Sequence, residues 1–365
     1  MKKTLISASV ATVLAAASFG ALADGPTLYG RLDLAITNSD TGATLQKGTN
    51  GVKAGESGTY IENNFSNLGV KGSEKIADGV DIIYQMEFQV ENTSGSSSEE
   101  DGDVFKARNT YLGAKTNFGT VLVGRNDTVF KQAEGGVDAF GNTNADIDRL
   151  VGGQVRSGDG VWYYSPKIAD LITLNATYLM DDNYATYDAN GKEIDKDSMY
   201  ALSATLGDKK LKAQNYYAAI AYNKAIGGID AYRAVGQVKL GDFKIGGLFQ
   251  NSESIADGAD DDNTYFVNVV YNLNGVNLKL QYGYDEAGFG NYFKNVPVDN
   301  INTVNKIKND VEVTNITVGA DYRVAKSTLV YGHYAHYEGE FKDSSGAKFD
   351  LEDDNVFTVG VRYDF

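Results

Sequence analysis

The last eleven residues, Asn355-Val356-Phe357-Thr358-Val359-Gly360-Val361-Arg362-Tyr363-Asp364-Phe365, decide the fold. Successive side chains of a β-strand point to opposite faces. One parity here is Phe357, Val359, Val361, Tyr363 and Phe365, and the other is Val356, Thr358, Gly360, Arg362 and Asp364. The segment therefore predicts a strand with one oily face and one mostly wet face. The same alternation recurs upstream. In 276–285, Val276, Leu278, Leu280, Tyr282 and Tyr284 share one face and Asn277, Lys279, Gln281, Gly283 and Asp285 the other. In 80–90, Ile82, Tyr84, Met86 and Phe88 oppose Asp81, Gln85 and Glu87. In 28–37, Leu28, Leu32, Leu34 and Ile36 oppose Tyr29, Arg31 and Asp33. Segment 263–273 is less clean, because Phe266 and Val270 join the face of Asn268 and Asn272.

Alternation by itself does not separate a soluble β-sandwich from a membrane barrel, since either solvates the charged face. The connections add a second signal. Short turns fall near Ala77-Asp78-Gly79, Asn117-Phe118-Gly119, Lys167-Ile168-Ala169, Gly207-Asp208, Gly241-Asp242, Asn274-Gly275 and Ala325-Lys326-Ser327. Longer polar connections fall near 39–57, 92–103, 128–157, 182–196, 224–229, 253–262, 287–309 and 341–354. Short and long alternate, as in an up-and-down barrel with tight turns at one rim and loops at the other. The run Asn92 to Asp101 is flanked closely by strand-like segments, so it reads as a polar loop and not a domain boundary.

The N-terminus and composition point the same way. Met1-Lys2-Lys3, the uncharged stretch Leu5 to Ala17 and Ala21-Leu22-Ala23 form a secretory signal pattern over residues 1–23, with Asp24 as the first mature residue. Residues 24–365 then form a single domain. No other apolar run reaches about 18 residues, the length of a spanning helix. There are no cysteines, so no disulfide framework exists. The formal charge is −16, and loss of Lys2 and Lys3 with the signal leaves −18. So acidic a chain is a poor partner for nucleic acid, and the excess suggests a pore that prefers cations. Many of the acids sit in loop runs (Asp181, Asp182, Asp257, Asp260, Asp261, Asp262, Asp353, Asp354), where plain solvation accounts for them. Three Pro against 41 Gly and 24 Tyr suit unbroken ladders and tyrosine-rich membrane interfaces. Together these features predict an all-β, antiparallel, up-and-down transmembrane β-barrel of about 16 strands, closed so that no edge is left unpaired in hydrocarbon.

In order along the chain, Leu28-Tyr29-Gly30-Arg31-Leu32-Asp33, Asn67-Leu68-Gly69-Val70-Lys71-Gly72-Ser73-Glu74, Phe118-Gly119-Thr120-Val121 through Gly124-Arg125, Trp162-Tyr163-Tyr164-Ser165-Pro166 and Gly360 to Phe365 resemble the Gram-negative general porin family. The C-terminal aromatic, Phe365, is likewise similar to the end of many outer-membrane barrels. The resemblance implies a homotrimer in the outer membrane of a Gram-negative bacterium, surrounded by lipid and lipopolysaccharide. It implies a third loop folded into each lumen and passive diffusion of ions and small hydrophilic solutes. Asn67, Asp159-Gly160 and Tyr363 depart from the family's usual residues, which leaves the sign of ion selectivity open.

A porin needs a water-filled hole, a narrow place and charges there. The connection 128–157, at about 30 residues, is far longer than an ordinary loop. It carries apolar anchors (Val129, Phe130, Val137, Phe140, Ile147, Leu150, Val151) and five glycines, so it is expected to fold inward. Its acids Glu134, Asp138, Asp146 and Asp148 are the candidate acidic side of the constriction. The resemblance implies a basic wall opposite, for which the matching residues are Arg125 and Arg156, then Lys71 and Arg108, and last Arg31. Facing acids and bases set up a transverse field that favours polar solutes. No cofactor, metal site or catalytic group is expected. The only histidines, His333 and His336, are three apart in a strand and point to opposite faces, and no Gly-x-Ser-x-Gly elbow occurs. A substrate-specific channel and a structural or adhesive surface barrel remain the alternatives.

Overall fold

The computed structural model describes residues 25–46, 56–91, 104–183, 198–255, 261–298, 309–343 and 345–365. The signal pattern, the 92–101 run and the loop acids Asp257 and Asp260 lie outside the described residues. The described chain is one antiparallel sheet. Its first strands are β1 (Thr27–Ser39), β2 (Gly58–Asn63), β3 (Asn67–Ala77), β4 (Val80–Val90), β5 (Phe105–Thr116) and β6 (Gly119–Asp127). Then come β7 (Arg156–Tyr164), β8 (Ile172–Leu179), β9 (Tyr200–Gly207), β10 (Tyr216–Lys224), β11 (Ile229–Leu240) and β12 (Phe243–Ser254). The last are β13 (Asp261–Leu273), β14 (Val276–Asp285), β15 (Asn309–Ala325), β16 (Thr328–Lys342), β17 (Lys348–Asp350) and β18 (Asp354–Asp364).

These segments make sixteen staves. β2 and β3 are two halves of one stave. β2 pairs with β1 from Ser39↔Gly58 to Leu34↔Asn63, and β3 takes over from Arg31↔Asn67 to Thr27↔Lys71. The break between them lies at Asn64-Phe65-Ser66, where Phe65 has φ 59°. β17 is a three-residue ladder on the loop end of β16, just ahead of β18. β1 and β18 close the sheet from Arg31↔Asp364 to Ser39↔Val356, and Gly30 and Phe365 exchange both backbone bonds at 2.9 and 3.0 Å. Among the described residues no strand edge is left unpaired in hydrocarbon.

The faces decide between sandwich and barrel. The predicted apolar parity of β18 is the exposed one, as it is on β1 and β14. Ile220, 66% exposed, and Gln281, 1% exposed, show the inversion: oil lies outside and polar side chains lie inside. A water-soluble protein does not present so continuous an apolar surface. Aromatic pairs mark two levels of this outer band. Phe249–Tyr265 and Tyr222–Tyr232 lie toward the loop end, and Phe243–Tyr271 and Tyr363–Phe365 toward the short-turn end. Tyr265 and Tyr271 share one strand and one face six residues apart, about 20 Å along the strand.

The short and long connections alternate as expected, with two corrections. The 224–229 connection is only Ala225–Gly228, as tight as a turn. The turn at Gly207-Asp208 instead runs from Asp208 to Asn215, organised by the Asp208 carboxylate accepting the backbone N–H groups of Lys210, Lys212 and Ala213. The irregular parity of β13 also has a cause. Phe266 is buried on the inner face, opposite Gly283, where Leu150 of the long loop comes down on it.

Candidate functional site

The loop between β6 and β7 starts as a short helix, Val129–Gln132, whose N-cap Thr128 accepts the Lys131 N–H at 3.2 Å. Of its five glycines, Gly135 and Gly153 have φ of 66° and 77°, a region that penalises any side chain. All seven apolar anchors of the loop are buried. The polar backbone they carry inward is paired by the barrel wall. Val129 N–H donates to Thr177 Oγ1 of β8 at 3.0 Å, and Tyr217 of β10 donates to the Ala133 carbonyl at 3.0 Å. Arg233 of β11 reaches the carbonyls of Phe130 (3.2 Å) and Gly152 (3.0 Å), with its guanidinium 4.1 Å from the Phe130 ring centroid. Further along, Gln237 Nε2 donates to Gly136 O at 2.7 Å, Asn268 Nδ2 to Val137 O, Lys279 Nζ to Ala139 O at 2.6 Å and Gln281 Nε2 to Ala145 O at 2.9 Å. Tyr337 of β16 donates to Asn144 O at 2.8 Å, and the Asn144 amide donates to Glu62 of β2 at 2.5 Å. The loop is thus bonded around the inner wall to β8, β10, β11, β13, β14 and β16 and to Glu62 of β2.

Arg149 fastens the far end. It is fully buried, donates to Ala43 O at 2.6 Å and lies 5.2 and 5.0 Å from the rings of Tyr292 and Tyr337. Tyr292 comes from the short helix Asn291–Asn295 and stacks on Tyr337 at 4.7 Å. One cation thereby ties three loop regions and strand β16 together.

The other side of the lumen is built differently. The inward side chains of β3 to β6 bond one another. Tyr29 and Arg108 both donate to Glu87 (2.8 and 2.6 Å), Arg108 also reaches Gln89 Oε1 at 3.0 Å, Tyr111 donates to Gln85 at 3.0 Å and Asn109 to Asn126 at 3.0 Å.

The candidate acids separate into two kinds. Glu134 accepts from Gln154 at 2.6 Å beside Lys131 and Arg233, and the enclosure of the loop pushes its carboxyl up to about 7. Asp138 accepts the Phe140 N–H at 3.0 Å near Lys279 and is pushed up to about 8 by the same loss of water. Asp148 lies 3.6 Å from Lys131. Asp146 differs: it is buried, and its two oxygens accept the N–H groups of Asn142 and Asp148 (2.8 Å for the latter). It caps the 3-10 turn Ile147–Arg149 and stands apart from the other three.

The candidate bases also divide. Lys71 is exposed on the inner face, 4.8 Å from the Tyr29 ring centroid, and Arg108 is paired with Glu87. Arg156 is paired with Asp127 at 3.1 Å at the foot of the loop. Arg125 shares the parity of Val121 and Val123, which lie exposed on the outer face, and it pairs in register with the exposed Thr110. The alternation of β6 therefore turns Arg125 away from the lumen, and that parity was readable in the sequence. Arg31 lies at the short-turn end, 2.9 Å from Asp364. Glu87, Lys279, Arg233, Arg323 and Arg362 were not singled out from sequence as site residues. Among the described residues no group of His, Asp and Glu is placed to hold a metal ion.

A family model described as Gram-negative porin matches residues 10–344. The chain is a Gram-negative porin. This porin is 26% identical to outer membrane porin protein 32 of Delftia acidovorans, over 99% of its own length and 95% of that protein's. It is 24% identical to the major outer membrane protein P.IB of Neisseria sicca over 100% of both. Among solved structures it resembles an anion-selective porin from Comamonas acidovorans, with a TM-score of 0.68, 18% identity, and coverage of 94% of this chain and 100% of that one. Membership places the porin in the outer membrane of a Gram-negative bacterium as a water-filled channel for passive diffusion of ions and small hydrophilic solutes.

Proposed function

We propose that solutes cross the barrel through the gap between loop 128–157 and the inner wall of β3 to β5, and that this gap is the constriction. Glu134, Asp138 and Asp148 form its acidic side, Lys71 and Arg108 its basic side, and Arg156 its paired foot. Asp146 supports the loop, Arg125 belongs to the outer face, and Arg31 is held by Asp364. The observation that carries the reading is the set of hydrogen bonds from the loop to strands between β8 and β16, set against a β3 to β5 wall whose polar groups satisfy one another. Such a gap passes small polar solutes with little discrimination and needs no reaction.

The acids and bases at the gap nearly balance, because Arg108 is neutralised by Glu87 and Lys131 lies beside Asp148. The porin is therefore weakly selective, and the whole-chain charge overstates its preference for cations. The protein works as a homotrimer, its outer band facing lipid and lipopolysaccharide. A related barrel, OmpT of Vibrio cholerae, has been described in a trimer form. Conductance in planar bilayers under a salt gradient tests the reading: large ohmic steps in threes with a small reversal potential are expected. Folded, heat-modifiable protein without ohmic conductance rejects the open pore, and a strong reversal potential of either sign rejects the balanced constriction.

A further inference from the structure

Below the loop tip, toward the short-turn mouth, lies a cluster of three arginines. The Asp364 carboxylate at the end of β18 is approached by Arg31 Nε at 2.9 Å, Arg362 Nε at 3.2 Å and Arg323 Nη1 at 3.7 Å. Three guanidiniums share the Asp364 carboxylate, and the buried Asp33 carboxylate lies within electrostatic reach of Arg31 and Arg362. Arg31 and Arg362 donate through Nε, and a guanidinium has five donors, so their terminal nitrogens remain for a second partner. All three arginines line a cavity of about 460 Å³ between the loop tip and the wall. Three further acids line this cavity, Asp33, Asp321 and the loop's Asp138, and each has a partner of its own, Asp138 accepting the Phe140 N–H at 3.0 Å. Asp33 accepts the Tyr331 hydroxyl at 2.7 Å, and Asp321 lies 2.5 Å from Lys279. His333 also lines the cavity. It is 3% exposed, and its Nε2 has no hydrogen-bond partner among the described residues.

We propose that this cluster is a binding subsite for a small oxyanion, a carboxylate or phosphate, which passing solutes occupy between the constriction and the short-turn mouth. Forked N–H donors match the planar oxygens of such a group, and a second anion relieves the repulsion among three cations crowded on one carboxylate. Chloride, which offers no paired oxygens, gains only the charge. The side chains are part-exposed to water, so the site is weak and exchanges fast, as a channel requires.

The subsite rests on the open-pore reading, and the test separates the two. Purified porin in planar bilayers is titrated with inorganic phosphate, and in a second series with acetate, in constant KCl. A saturable fall in the KCl current is expected, with excess current noise at half saturation. Arg323→Gln and Arg362→Gln should each raise the half-saturating concentration by about three- to tenfold. Arg362→Lys, which keeps the charge and loses the fork, should recover only part of that. Phosphate acting without acetate narrows the ligand to multivalent oxyanions. Current that follows bulk conductivity with no saturation, or variants that match the parent, overturns the subsite while KCl conductance still supports the pore. Absence of KCl conductance overturns both. Heat-modifiability on gels reports whether each variant folds, and the two arginines on separate strands guard against one variant failing to do so.

Discussion

Arg233 Nη2 lies 3.0 Å from the carbonyl oxygen of Gly152, a bond that joins the wall strand β11 to the returning arm of a loop that begins and ends across the barrel. The same guanidinium holds Phe130 O on the outgoing arm and is braced by Gln250 Oε1 at 2.7 Å. One buried cation thus clamps both arms.

Arg233→Ala should therefore free the loop without opening the barrel. It removes a charged donor from two buried carbonyls, of which Gly152 O keeps Gln250 Nε2 at 3.2 Å and Phe130 O the Ala133 N–H at 3.3 Å, at a cost of about 1–3 kcal/mol. The expected result is a lower heat-modifiability midpoint on gels, together with larger and noisier single-channel conductance. Arg233→Lys should recover little, since one ammonium does not span both arms.

The loop carboxyls make selectivity depend on pH. A carboxyl held at about 7 (Glu134) or about 8 (Asp138) is neutral below that value and charged above it. Asp148 opposes ionisation of both, while Lys131 and Arg233 favour it at Glu134 and Lys279 at Asp138. Raising the pH from about 6 to about 9 thus adds negative charge to the gap and moves the reversal potential toward cations. Glu134→Gln should remove the lower part of that shift and Asp138→Asn the upper part. A reversal potential flat across this range would contradict it.

Glu87 neutralises the basic wall, accepting from both Arg108 and Tyr29. Glu87→Gln should leave Arg108 and Lys71 uncompensated and shift the reversal potential toward anions. Arg108→Gln should shift it the other way. Equal responses of the two variants would show that this pair lies outside the gap.

Barrel closure has a sensitive point at Gly30. A side chain on Gly30 would run into the Phe365 ring and sit 2.9 Å from the Asn67 carbonyl, where β1 meets both β18 and β3. Gly30→Val should abolish the heat-modifiable folded form, while Gly346→Val, at an exposed loop site with open space around it, should retain a folded barrel despite some backbone strain.

Much of the barrel could be read residue by residue. The parity of Phe357 to Phe365 placed the oily face, and the predicted outward residues of β1 and β14 are the exposed ones. The long loop announced itself by length and by anchors such as Phe130 and Leu150. The charged site was less legible. Arg125 was assigned by resemblance although its own strand parity points outward. Asp146 and Asp148 look alike in the sequence, yet only Asp146 is consumed as a cap. Glu87 reads as inward, but its pairing with Arg108 depends on the register shift between Met86 and Phe88.

The sequence by itself determined that this chain is a lipid-facing barrel of about sixteen staves with one long inward-tending loop, because side-chain alternation and turn chemistry are local and repeat along the chain. The tertiary structure decided which charges meet. Arg31, Arg323 and Arg362 converge on Asp364 from separate strands, and Arg233 reaches carbonyls 81 and 103 positions away. Electrostatic and hydrogen-bond energies depend on distances of a few ångströms across the lumen. Those distances exist only once the sheet has closed and its register has set which residues face one another.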